Sequence, residues 1–122
     1  MGLDQYAWTK KAESDRDAHE WSISWRKHSR LQEFMQSIWV ARGNTQDNFN
    51  CVDMELTKRD ITLLSCAVRT AYEDYVCKEG FFWGHQFQEE AAKESYKDDL
   101  EFVDAAFDAI DKGLEVYYSC WY

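Results

Sequence analysis

Tyr117-Tyr118-Ser119-Cys120-Trp121-Tyr122 closes the chain, and Gly80-Phe81-Phe82-Trp83-Gly84 opens the long acidic stretch that leads to it. Aromatic side chains this dense are costly to leave in water, so the closing hexapeptide reads as a packed strand and not as a frayed tail. Immediately upstream, from about Gln88 to Lys112, Tyr96, Leu100, Val103, Phe107, Ile110 and Leu114 recur at steps of three and four, the period of one helical face. That face is expected to be buried. Gly113 is the expected stop, because glycine takes the left-handed conformation that ends helices.

Working outward, Leu3 to Thr9 reads as a short strand with Tyr6 and Trp8 on one side. Lys10 to Ala18 has the polar, mixed-charge composition of a connection. Glu20-Trp21-Ser22-Ile23-Ser24-Trp25 alternates strictly, which predicts a strand with Trp21, Ile23 and Trp25 on its dry side. The period changes at Arg26, after which Leu31, Phe34, Met35 and Ile38 mark a helix that Arg42-Gly43-Asn44 should end. Val52, Met54 and Leu56 suggest a third strand. Thr57 with Asp60 three residues on resembles a capping pair for a helix whose face is Ile61, Leu64, Val68, Tyr72 and Tyr75, broken at Lys78-Glu79-Gly80. The order strand, strand, helix, strand, helix, helix, strand predicts one α+β domain over residues 1–122. In it a small, mainly antiparallel sheet packs against about three helices, and the first and last strands pair.

With 122 residues, 45% hydrophobic and 16% aromatic, the chain has ample material for a core. Its 23 acidic against 14 basic residues leave a net charge of −9, which argues against nonspecific binding to DNA, RNA or an anionic membrane and favours a basic partner surface. No apolar run approaches the ~20 residues of a membrane span, and Met1-Gly2-Leu3-Asp4 lacks a secretory pattern, so a cytoplasmic location is expected. Cys51, Cys66, Cys77 and Cys120 form no CxxC pair and read as reduced thiols serving as small buried hydrophobes. His19, His28 and His85 show no ligand spacing. No metal, cofactor or catalytic residue is therefore assigned.

Two groups of residues are candidates for binding. The first is the strand-to-helix junction Trp25, Arg26, Lys27 and His28 with His85 and, from the last strand, Tyr118 and Trp121. Cationic groups at a helix N-terminus beside aromatic rings suit a nucleotide or phosphate, and a working site needs them on one pocket of at least ~300 Å³. The plainer alternative has Arg26 and Lys27 solvated and the tryptophans in the core. The second group is Glu90, Glu94, Asp98, Glu101, Asp104 and Asp108, which step along one side of the last helix. Such a stripe is either a solvated face or a ridge that docks on a basic groove.

Gly2-Leu3-Asp4-Gln5-Tyr6, Trp25-Arg26-Lys27, Phe81-Phe82-Trp83-Gly84, Tyr96-Lys97-Asp98-Asp99-Leu100 and Tyr117-Tyr118-Ser119-Cys120-Trp121 occur in an order that resembles a family of small bacteriophage proteins of unknown activity. Members often carry the label "phosphoglycerate kinase", although a chain of this size without a glycine-rich phosphate loop is too small for that two-domain enzyme. His28-Ser29-Arg30-Leu31-Gln32 departs from the Asn and His that members often have in this helix. The resemblance implies a phage accessory protein in the cytoplasm of an infected bacterium, while acidic charge, small size and the lack of catalytic spacing favour action by binding a host or phage macromolecule. A small-ligand or nucleotide binder, or an enzyme, using the Trp25 to His28 junction is the alternative. A homodimer formed through strand edges is the structural alternative.

Overall fold

A computed structural model describes residues 3–15, 18–45, 49–72 and 93–122. The elements run β1 (Asp4–Lys10), β2 (His19–Arg26), α1 (Ser29–Ala41), β3 (Met54–Leu56), α2 (Lys58–Arg69), α3 (Tyr96–Asp111) and β4 (Glu115–Trp121). The four strands form one antiparallel sheet in the order β2-β1-β4-β3, with the first and last strands side by side at its centre. The class is α+β, as the element order predicts. Among the described residues no helix is long and apolar enough to cross a membrane.

Alternation divides each strand between two environments. Gln5, Ala7 and Thr9 of β1, Trp21, Ile23 and Trp25 of β2, and Val116, Tyr118 and Cys120 of β4 share the face turned to the helices. There they meet Leu31, Phe34, Met35 and Ile38 of α1, Ile61, Leu64 and Val68 of α2, and Phe102, Val103, Ala106 and Ala109 of α3. The opposite face carries Tyr6, Trp8, Ser22, Ser24, Tyr117 and Trp121.

Helix ends follow local chemistry. Thr57 Oγ1 accepts from the Asp60 N–H at 3.2 Å while Asp60 Oδ2 accepts from the Thr57 N–H at 2.9 Å, a complete capping box. Arg42 Nη2 donates to the same Asp60 oxygen at 2.6 Å and ties the end of α1 to the start of α2. Gly113 has φ +80°, and the Leu114 N–H folds back to the Ala109 carbonyl at 2.8 Å, so the chain can leave α3 directly into β4.

Five expectations need correction. Helix α2 ends at Arg69, because Ala71 and Tyr72 take φ +53° and +56°, so Tyr72 enters the core from the turn after the helix and not from its face. The last helix is interrupted at Ser95, which caps α3, so Glu94 lies ahead of it. Helix α1 starts at Ser29 and not near Arg26, because Lys27 adopts φ +57° and His28 becomes the cap. The dry side of α3 is centred on Asp99, Phe102, Ala106 and Ala109. Leu100, Phe107 and Ile110 are only half-buried and Tyr96 is 42% exposed. Cys51 and Cys66 are exposed, leaving Cys120 as the buried thiol among the described cysteines. Gly80 to Gly84, Tyr75, Cys77, His85, Glu90 and the expected start of the last helix near Gln88 lie outside the described residues.

Candidate functional site

Trp25, His28 and Tyr118 do come together, but beneath the sheet. Trp25 and His28 meet at Asp99, a 1% exposed carboxylate on the core side of α3, and Tyr118 joins them through Gln5, which bonds both its hydroxyl and the His28 backbone. Trp25 Nε1 donates to Asp99 Oδ1 at 2.7 Å, the Tyr72 hydroxyl donates to Oδ2 at 2.7 Å, and His28 Nε2 lies 2.8 Å from the same Oδ2. His28 Nδ1 accepts from the Leu31 N–H at 3.5 Å, so the ring proton sits on Nε2 and points at the carboxylate. This histidine caps α1 from within. Both ring nitrogens are engaged and the side chain is sealed from solvent.

A second set of bonds leads away from the His28 backbone. Gln5 holds it at two points, donating from Nε2 to the His28 carbonyl at 3.0 Å and accepting at Oε1 from the His28 N–H at 2.9 Å. Gln5 Nε2 also donates to the Tyr118 hydroxyl at 3.0 Å, which donates to Gln32 Oε1 at 2.5 Å. Gln32 Nε2 donates in turn to Cys120 Sγ at 3.2 Å. The side chains of this relay are all buried, and each donor has its acceptor, as a low-dielectric interior demands.

Burial sets the acidities of the network's weak acids. It pushes the Tyr72 phenol well above its ordinary value, with the Asp99 charge and hydrogen bond adding to the shift. It raises Tyr118 as well, helped by Cys120 and Asp99 and opposed by the bond from Gln5. The Cys120 thiol is pushed up to about 12 by burial, against the bond from Gln32. A thiol held protonated is a poor nucleophile or metal ligand. Among the described residues no cluster of three His, Cys, Asp or Glu side chains is placed to hold a metal ion.

The other members of the junction lie elsewhere. Arg26 is exposed on the open sheet face, 3.9 Å from Asp4, and Lys27 is exposed in the turn. The N-terminus of α1, where an anion would sit, is filled by His28. Trp121 is 52% exposed and packs edge-on against Tyr6, with ring centres 6.5 Å apart. Together with Trp8, His19, Ser22 and Ser24 these two rings line a hollow of about 450 Å³ on the open face. Of the described junction residues only Trp121 reaches it. Its ring walls and hydroxyls have the character of a site for a flat or cyclic ligand.

Four residues of the acidic stripe lie on α3, and Glu94 precedes its Ser95 cap. Glu94, Asp98, Glu101, Asp104 and Asp108 are all exposed. Asp108 pairs with Lys112 at 2.8 Å, an exposed contact one helical turn away.

Sequence reasoning passed over Gln5, Gln32, Tyr72 as a hydrogen-bond donor, and Asp99. Each carried a signal. Gln5 alternates with Leu3 and Ala7, Gln32 stands next to Leu31 on a helical face, and Asp99 precedes Phe102 and Ala106 by three and seven positions. A polar residue in phase with a dry face has to be bonded inside it.

No protein-family model, no curated protein and no solved structure matches the chain.

Proposed function

We propose that the protein works by binding, as a small acidic accessory protein of the bacteriophage type, and that the exposed side of α3 docks on a basic surface of a host or phage protein in the infected cytoplasm. The observation that carries this reading is the row Asp98, Glu101, Asp104 and Asp108 on α3, with Glu94 exposed just ahead of its Ser95 cap, on a helix whose opposite side is committed to the core. Carboxylates at three- and four-residue steps repel by a few tenths of a kcal/mol per pair, a cost that a basic partner relieves. The polar group around Asp99 supports the same reading from the other side, since its atoms are spent on holding β1, β2, α1 and α3 together.

The test is charge reversal of Glu94, Asp98 and Glu101 to Lys. Exposed substitutions of this kind change stability by less than about 0.5 kcal/mol, so the fold and its melting temperature should persist. Capture of partners from a lysate of infected cells should fail with the reversed bait. With the native bait it should weaken as salt passes ~0.15 M, where the screening length is about 8 Å. Retention of the same partner by the reversed bait, at low and high salt alike, would remove α3 as the docking surface.

A further inference from the structure

Strand β2 contains the heptapeptide Glu20-Trp21-Ser22-Ile23-Ser24-Trp25-Arg26, whose centre reads the same in both directions about Ile23 and whose ends carry opposite charges. An antiparallel strand reads its partner backwards. From this self-complementarity we propose that β2 pairs with β2 of a second copy about a two-fold axis at Ile23, joining two four-stranded sheets into one of eight strands.

Backbone geometry fits this register. Among the described residues β2 has a strand neighbour on one side only, β1. The Lys27 N–H donates to the Leu3 carbonyl at 2.8 Å, and the pairing continues as Gln5 with Trp25, Ala7 with Ile23 and Thr9 with Trp21. Odd-numbered residues of β2 therefore turn their backbone groups toward β1. Glu20, Ser22, Ser24 and Arg26 turn theirs outward. In the self-paired register Ser22 stands opposite Ser24 of the second copy and Glu20 opposite its Arg26, so the residues with outward groups meet each other and exchange their bonds. Trp21 meets Trp25, and Ile23 meets its own copy in the closer, non-bonded position on the axis.

Side chains agree with the backbone. Trp21 and Ile23 lie on the dry side of the sheet yet remain half-buried, and among the described residues no strand continues past them. A second copy would cover both. Glu20 and Arg26 are exposed on the wet side, and their contacts within the chain, to Lys11 and Asp4, are both long at 3.9 Å. Each is available to the opposite charge across the axis. The two edges of the sheet also differ in exposure to pairing: β3 is three residues long, whereas β2 offers eight without a proline. Ser22 and Ser24 line the hollow on the open face, so the second copy would extend its floor with its own serines.

Sedimentation equilibrium on the full chain decides the matter. The native protein should be a dimer at about 100 μM. Ser24→Pro removes an outward N–H that β1 does not use, and proline is tolerated on an edge strand, so this variant should keep its circular dichroism and become a monomer. Arg26→Glu places two acids opposite each other at both ends of the interface and should weaken association about tenfold. Glu20→Arg combined with Arg26→Glu restores opposite charges in this register and should recover the native dissociation constant. A native chain that stays monomeric, or a dimer indifferent to Ser24→Pro and to Arg26→Glu, would overturn the proposal.

Discussion

At the scale of single residues, Asp99 decides how four elements meet. One of its oxygens receives the Trp25 indole and the other receives both the Tyr72 hydroxyl and His28 Nε2. An amide of the same shape offers one accepting oxygen only. Asp99→Asn therefore leaves either the indole facing an N–H₂ group or two donors without an acceptor, and the expected cost is about 2–4 kcal/mol in urea unfolding. Tyr72→Phe removes a donor and leaves the carboxylate bonded to Trp25 and His28, so it should cost less, about 1–2 kcal/mol. If Asp99→Asn proves as stable as the native chain, the carboxylate is not the anchor described. The same bonds explain why the junction of Trp25 and His28 resembles a ligand site in sequence. Aromatic, imidazole and carboxylate groups are what a buried anchor and a binding site have in common, and only burial separates them.

At the scale of elements, capping and periodicity carried most of the information in the chain. Thr57 with Asp60, Gly113 after Asp111, and the alternation around Ile23 place the start of α2, the end of α3 and β2 correctly, because each depends on neighbours within a few residues. The phase of α3 depends on the sheet it packs against. Leu100, Phe107 and Ile110 look like its axis because they are large, yet the axis runs through Phe102 and two alanines that let the helix lie close to the strands. Phe102 is fully buried between Trp21, stacked at 6.1 Å, and Trp25, edge-on at 5.5 Å. Phe102→Ala should cost about 3–5 kcal/mol, and Leu100→Ala less than the 2–5 kcal/mol typical of a fully buried leucine. The reverse ranking in urea titrations would restore the phase read from size alone. Local phase marks Gln5 and Asp99 as polar residues on dry faces, but their partners are distant in sequence and no local pattern names them.

At the scale of the whole molecule, the weak acids sealed under the sheet link stability to alkaline pH. In an unfolded chain a thiol ionises near 9.0 and a phenol near 10.0. In the folded chain Cys120 is pushed up to about 12 by burial. Tyr117 is pushed to about 12 by burial and by the Glu115 carboxylate it is bonded to, and Tyr72 and Tyr118 are raised well above their ordinary values. Between those limits the unfolded chain has released protons that the folded chain still holds. Stability therefore falls as pH rises; the contribution is complete below about 9 and is lost on the way to about 12. The melting temperature should be insensitive to these groups up to about pH 8.5 and then drop steadily. Cys120→Ala takes away the group that ionises first and should move the onset up toward pH 10, where the tyrosines begin. A melting temperature unchanged between about pH 8.5 and 11.5 would mean that Tyr72 and Tyr118 reach solvent without unfolding. The relay from Gln5 to Cys120 would then be an opening in the molecule, where the present geometry makes it the seal between the sheet and α1.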